Sequence, residues 1–373
     1  MQILSKRFVK IMQVKMVLNR YYPMIGGAER QARILSLELL KQGVTPSIIT
    51  QKHDSKLLST ELIDGIKVTR YSSGVMFYCM LFIALIKDRN NVDVIHCHNI
   101  SITSFVCSLA SLFIRCPLVL KLTVAGELTE LLEPTLKGLK PRLKSILIKY
   151  TVKRATIIAL TQEGIKELEA HKISAYTHIP NGVSLELRDL VVQSNKLQKI
   201  KSYRTFGFLG RFSAQKGIEV LLKAFSQSIT ENKLILMGSS HLQESTVIDE
   251  EILKFKKLLG DRLVVLEPEN PPLKFYNMID CFVSTSKFEG MPNCVLEALS
   301  LNIPCVLSPI PPHKEISDSC NAPEIKIYKT NEELISIFEH SDLVLSENEL
   351  LPEKYNIENV AYKYKFLYEQ LIG

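Results

Sequence analysis

The chain has 373 residues, 46% hydrophobic and 23% charged, with a net charge of +7. That length accommodates two domains, each with its own core, and the composition excludes a disordered, fibrous or disulfide-scaffold protein. The eight cysteines are scattered, mostly in apolar segments and without a CxxC pair, so they read as small buried hydrophobes in a reducing compartment and give no zinc spacing.

The opening MQILSKRFVKIMQVKMVLNR interleaves bases with apolar residues and lacks both the apolar core and the cleavage site of a secretory signal. It feeds a first strand at about Gln13 to Leu18. Gly26 and Gly27 follow, and then the helix AERQARILSLELLKQ, with Ala28, Ala32, Leu35 and Leu39 on one stripe and a stop at Gly43. Paired glycines before a helix fit either a tight turn or the close approach of an anion to backbone N–H groups. Val75 to Ile86, VMFYCMLFIALI, is too short to span a bilayer and reads as a buried or interfacial helix.

PSIIT, VDVIH, PLVLKLT and ATIIAL read as further strands alternating with helices. Between Pro134 and Gln162 stand seven bases (Lys137, Lys140, Arg142, Lys144, Lys149, Lys153 and Arg154) and no acid, with Leu136, Leu139, Leu143, Ile146 and Leu147 interspersed at near-helical spacing. Such a face is either solvated or suited to an anionic membrane surface or a phosphate-bearing acceptor. Nucleic acid is disfavoured, because no stacking aromatics interleave the bases.

The charged segment 186–204 reads as a linker. The alternation then restarts with TFGFLG, GIEVLLKAFSQSI, KLILMG, RLVVLE, DCFVST and IPCVLS, which predicts an α/β protein of two Rossmann-like halves. Their boundaries are 1–185 and 205–373, and the last helix is free to pack back on the first half. In FLGRFSAQKG, Arg211 and Lys216 flank a strand-to-helix loop. They fit exposed loop bases or a pyrophosphate site, the Arg as a fork and the Lys as a point charge. In SKFEGMPNCVLEALS, Glu289 lies on a loop after the strand DCFVST, and Pro292 fits the first turn of a helix carrying Glu297. Amides at Met291 to Cys294 could receive phosphate, and Glu297 could accept from a ribose hydroxyl pair. A hydrolytic acid/base couple is disfavoured beside cations at a helix start.

Gly26-Gly27-Ala28-Glu29, VDVIHCHN, IPNGV, GRFSAQKG and FEGMPNCVLEAL together resemble the retaining glycosyltransferase family 4 of the GT-B fold. The two acids with seven residues between them match its E-x7-E signature, and the likeness runs through nearly the whole chain in order. The resemblance implies two Rossmann-like domains with parallel sheets facing a central cleft, the first binding acceptor and the second a nucleotide-sugar donor. It implies Glu289 on the donor sugar, Glu297 on the ribose, and Arg211 and Lys216 on the diphosphate. Gly26, Gly27, Gly290, Met291, Pro292, Asn293 and Cys294 would line the donor. No metal or other cofactor is implied.

The chain departs from the family at Thr123, where members often carry a His. His98 of HCHN is the candidate in its place, with Lys121, Thr123 and Glu127 as substitutes near the same strand end. The expected activity is transfer of a hexose-type sugar from a UDP- or GDP-sugar to a polysaccharide, lipopolysaccharide or lipid-linked acceptor. It would take place in the cytoplasm, with contact to the inner face of the plasma membrane. A sugar-nucleotide epimerase or a non-catalytic nucleotide-sugar-binding module are the alternatives.

Overall fold

Strands covered on both faces read as near-continuous apolar runs, and VIHC and LVLKL are buried at every position, His96 and Lys121 included. The computed structural model describes residues 11–24, 26–135, 138–185, 203–240, 245–269, 271–340, 346 and 348–373. Residues 186–202 of the expected linker, with Leu136 and Lys137, lie outside the described residues.

The first part of the chain runs β1 (Met12–Val17), α1 (Gly27–Lys41), β2 (Val44–Lys52), β3 (Thr60–Ile63), β4 (Ile66–Ser72), α2 (Val75–Lys87), β5 (Val94–Cys97), α3 (Ile102–Ile114), β6 (Leu118–Leu122), α4 (Glu127–Leu132), α5 (Leu139–Val152), β7 (Thr156–Ala159), α6 (Gln162–Ala170) and β8 (Tyr176–His178). Its sheet has the order β3-β4-β2-β1-β5-β6-β7-β8. All pairs are parallel except β3 with β4, an antiparallel edge that departs from the all-parallel expectation.

The second part runs β9 (Thr205–Leu209), α7 (Ile218–Gln227), β10 (Lys233–Met237), α8 (Ser245–Leu259), β11 (Leu263–Leu266), α9 (Leu273–Met278), β12 (Cys281–Ser284), α10 (Asn293–Ser300), β13 (Cys305–Leu307), α11 (Pro311–Cys320), β14 (Ile325–Ile327) and α12 (Asn331–His340). Its sheet is wholly parallel, in the order β11-β10-β9-β12-β13-β14.

The chain ends in α13 (Ile357–Ile372), which belongs with the first unit. The units are Met1–Gly182 with Ile357–Gly373, and Val183–Asn356, so the second ends at 356 rather than 373. Gly182 allows the return, because a Cβ there would lie 2.8 Å from the Ile357 Cα. Gln42 and Lys365 add side-chain bonds between α1 and α13.

In each sheet the chain builds outward from its first strand on one side and then on the other. β1 lies between β2 and β5, and β9 lies between β10 and β12. The carboxyl ends of β1/β5 and β9/β12 are therefore switch points, where adjacent loops diverge and leave room for a ligand. Each unit has its own core. Phe77, Leu81, Cys107, Ala110, Ile148 and Val152 press α2, α3 and α5 onto the first sheet, and Leu221, Phe225, Ile252 and Phe338 cover the second.

Three local expectations change. Ala28 is exposed in the first turn of α1, so the buried stripe starts at Gln31 and Ala32. Pro292 caps α10 instead of lying within its first turn. Cys79 is exposed on the outer side of α2, while Cys97, Cys107, Cys281 and Cys305 are buried as small hydrophobes.

Candidate functional site

In the second unit the loops after β9 and β12 are neighbours because their strands pair. Gly217, with φ +65°, brings them together: a Cβ would collide with the Thr285 carbonyl oxygen. Thr285 Oγ1 donates to Gly217 O at 3.0 Å, Lys287 N donates to Gln215 O at 2.9 Å, and Gln215 Nε2 donates to Phe288 O at 3.2 Å. These bonds make the two loops one structure.

That structure places Lys216 Nζ 2.5 Å from Glu289 Oε1, which also accepts from Ser286 Oγ at 2.7 Å. The two side chains are only 19% and 9% exposed, so the pair is largely shielded from water, which strengthens its attraction. Two donors satisfy one oxygen of Glu289, and one N–H of the lysine is used. Arg211 is exposed one loop position beyond Gly210, its Nη2 donating to Gln215 Oε1 at 3.3 Å.

Gly290, Met291 and Pro292 are buried and lead into α10, whose N-terminal residues Asn293 and Cys294 are half-buried. The helix presents its positive end beside the Glu289 loop. One turn along, Glu297 is 5% exposed, and its Oε2 accepts from Tyr276 OH of α9 at 2.8 Å. On α11, the His313 Nδ1–H donates to Ser308 O at 2.9 Å, which leaves Nε2 as a buried acceptor with no partner among the described residues. Burial depresses the His313 pKa to about 4. Ser308 Oγ in turn donates to Ser286 O at 2.6 Å, linking the histidine to the residue that holds Glu289.

The first unit carries Gly26, Gly27 and His98 at its own switch point. Gly26 caps α1 in an extended conformation, and a Cβ on it would collide with Glu29 Oε2. The acid of the first turn thus covers the helix start that was expected to receive an anion. His98 is 3% exposed and stacks on His96 with ring centroids 4.4 Å apart. His96 Nδ1 pairs with Tyr368 OH of α13 at 2.8 Å, and neither Nε2 has a partner among the described residues. Burial drives the His96 pKa to about 3 and that of His98 well below its usual value. Both rings are neutral at pH 7. Thr123 Oγ1 donates to Glu127 Oε2 at 2.8 Å, and burial raises the Glu127 pKa.

The structure therefore brings Arg211, Lys216, Glu289, Gly290 to Cys294 and Glu297 into one neighbourhood of the second unit. Gly26, Gly27 and His98 share the corresponding strand ends of the first. Ser286, Tyr276, Gln215, Thr285 and His313 are additions. Ser286 carries a usable signal, a hydroxyl three residues before the loop acid. Tyr276 reads in sequence only as a core aromatic.

Lys121 of β6 is 4% exposed and lies 5.9 Å over the Tyr364 ring, and burial alone lowers its pKa to about 7. Among the described residues, His96, His98 and Tyr364 are titratable groups near it, with Tyr368 packed on His96. Between about pH 7 and 10.5 the unfolded chain binds a proton that the folded chain does not, so unfolding takes up protons and stability rises with pH across that window. Lys121→Met removes this penalty. In urea denaturation the variant is expected to be more stable by about 4 kcal/mol at pH 7, with the gain shrinking toward pH 10. A gain equal at both pH values, or a loss at pH 7, would contradict the assignment.

Residues 25–187 match the model of Glycosyltransferase Family 4, and residues 203–335 match that of Glycosyl transferases group 1; the two together take in most of the chain. An uncharacterized glycosyltransferase of Methanocaldococcus jannaschii is 34% identical over 191 residues, 46% of this chain and 44% of that protein. A UDP-Gal:alpha-D-GlcNAc-diphosphoundecaprenol alpha-1,3-galactosyltransferase of Escherichia coli is 32% identical over 160 residues, 39% of each chain. The chain thus spans less than half the length of these curated relatives. Among solved structures, HepE of Anabaena in complex with UDP superposes with a TM-score of 0.76 at 16% identity, over 96% of this chain and all of that one. That likeness concerns the fold.

Proposed function

Because the chain belongs to the glycosyltransferases of the family 4 and group 1 type and has their GT-B fold, we propose that it transfers a hexose-type sugar from a UDP- or GDP-sugar to a hydroxyl of a polysaccharide, lipopolysaccharide or lipid-linked acceptor, with retention at the anomeric carbon. The observation that carries this reading is the Lys216–Glu289 pair, set beside Arg211 and the start of α10 at the β9/β12 switch point. The UDP in the HepE structure and the diphosphoundecaprenol in the name of the Escherichia coli relative favour UDP and a lipid-linked acceptor.

In this reading the bond from the anomeric carbon to the diphosphate oxygen breaks and a bond to the acceptor oxygen forms. The acceptor proton passes to an oxygen of the departing diphosphate. Negative charge grows on that diphosphate as the bond breaks, so groups that stabilise it lower the barrier. Lys216 has N–H groups beyond the one held by Glu289, and Arg211 offers a fork. The N-terminus of α10 adds its dipole. Glu289, oriented by Lys216 and Ser286, accepts from donor-sugar hydroxyls, and Glu297, oriented by Tyr276, accepts from the ribose. The unpartnered Nε2 of His98 is the first unit's candidate for a sugar contact. With the diphosphate charge met by these groups, transfer proceeds without a metal. The same reading places the protein in the cytoplasm, peripheral on the inner face of the plasma membrane.

A panel of UDP-, GDP- and ADP-sugars, scored by nucleotide release with lipid-linked and soluble glycan acceptors, tests the reading. With the donor so identified, Lys216→Ala is expected to lower kcat/KM about tenfold to a hundredfold, the equivalent of a charge-assisted bond worth roughly 1.5–3 kcal/mol, with folding retained. Unchanged kcat/KM would make Lys216 a structural partner of Glu289 only. Turnover is further expected to persist in excess EDTA. Loss of activity with chelator, restored by Mg²⁺ or Mn²⁺, would contradict metal-free transfer.

A further inference from the structure

In the first unit α2, α3 and α5 pack side by side on one face of the sheet, inside one core. Their outer surface is unusual in two independent ways. None of the three helices contains an Asp or a Glu, whereas α5 alone carries Lys140, Arg142, Lys144 and Lys149, all exposed. The acid that follows α2, Asp88, is paired with Lys15 at 2.5 Å, and Glu130 and Glu133 come before α5 begins.

The second feature is apolar. On α5 the exposed residues Leu139, Leu143, Ile146 and Tyr150 recur every three or four positions, so they form one stripe along the helix, with Leu139 at 83% and Ile146 at 62% exposure. On α2, Met76, Met80 and Ile83 form a matching exposed stripe. Between them α3 exposes Phe113, at 72%. Edge-to-face pairs join the layer laterally, Phe82 with Phe113 and Phe105 with Tyr150. Single exposed apolar residues are ordinary, but periodic stripes on neighbouring helices that carry bases and no acid are not.

We propose that this α2–α3–α5 face docks reversibly on an anionic lipid bilayer, with the stripes of α5 and α2 lying in the headgroup region and the α5 bases on the lipid phosphates. Charge complementarity selects the occupant. A face without acids loses nothing against an anionic leaflet, and each base near the surface adds attraction. The apolar stripes supply the shallow burial characteristic of interfacial helices. A second copy of this chain would bring the same bases face to face and be repelled at low salt. Docking concentrates the enzyme where a lipid-linked acceptor is confined, and this consequence rests on the proposed function. The docking does not, so vesicle binding and sugar transfer are measured separately.

The test is sedimentation of the full chain with phosphatidylcholine vesicles, with and without phosphatidylglycerol. Two variants of exposed residues accompany it: Lys140→Glu with Arg142→Glu and Lys144→Glu, and Leu143→Ser with Ile146→Ser. Circular dichroism and Tm verify folding. At low salt the wild type is expected to sediment with the anionic vesicles and to stay in solution with the neutral ones. Raising the ionic strength to about 1 M, where screening acts within roughly 3 Å, should release it. The charge variant should bind on the order of a hundredfold more weakly, and the apolar variant about tenfold more weakly. Equal binding to both vesicle types, no binding to anionic vesicles, or folded variants that bind like the wild type would overturn the proposal. A concentration-dependent dimer that the Leu143→Ser/Ile146→Ser variant abolishes, without vesicle binding, would assign the face to a second copy.

Discussion

The second unit's site depends on how closely the loop after β9 approaches the loop after β12. Gly217, in a left-handed conformation with no Cβ, lets its backbone rest against the Thr285 carbonyl. Three further hydrogen bonds, through Thr285, Lys287 and Gln215, hold the loops in that register. Lys216 precedes this glycine and Glu289 lies on the opposing loop, so their contact is a consequence of backbone geometry. Two long side chains are fixed in a largely shielded place, at an entropic cost that a surface pair would not recover. Each carboxylate also has a hydroxyl assigned to it, Ser286 for Glu289 and Tyr276 for Glu297. Such support keeps acceptors oriented before any ligand arrives.

The first unit solves a different problem around a switch point of the same kind, with β1 between β2 and β5. At the ends of β5 and β6 it buries two histidines and a lysine, and its C-terminal helix closes over them with Tyr364 and Tyr368. Desolvation keeps the imidazoles neutral and weakens the ammonium, so the cluster carries less charge than its residue types suggest. A neutral imidazole with one nitrogen unpartnered is suited to a hydroxyl and poorly suited to a phosphate. In the proposed function the phosphate-directed chemistry belongs to the second unit, where Arg211 is exposed and Lys216 half-buried.

The parts legible in the sequence were those with continuous apolar runs. The strands β5, β6, β9, β10 and β12, buried at every position or all but one, stand out because both faces are covered. β3, β4, β8 and β14 escape such a reading, since they are short or interrupted by polar residues and only partly buried; in β3, TELI, the exposed residues are Thr60 and Leu62. The location of Glu289 on a loop and Glu297 on a helix follows from the strand before them and the Pro between them. The partners of these acids do not, because Tyr276 lies 21 residues from Glu297 and is packed like any core aromatic. The return of α13 to the first unit was an open option in the sequence, and the buried Tyr364 and Tyr368 beside His96 show what takes it there. A stripe such as Ala28 to Leu39 predicts a face but not where the neighbouring sheet begins to cover it.

The central claim is that the two acids of E-x7-E divide the donor between them, Glu297 holding the nucleotide and Glu289 the sugar. Calorimetric titration of the free nucleoside diphosphate into wild-type, Glu297→Ala and Glu289→Ala proteins tests this directly. The account predicts that Glu297→Ala weakens nucleotide binding by about tenfold or more, while Glu289→Ala keeps it within about threefold and loses sugar transfer. Equal loss of nucleotide affinity in both variants, or none in either, would contradict it.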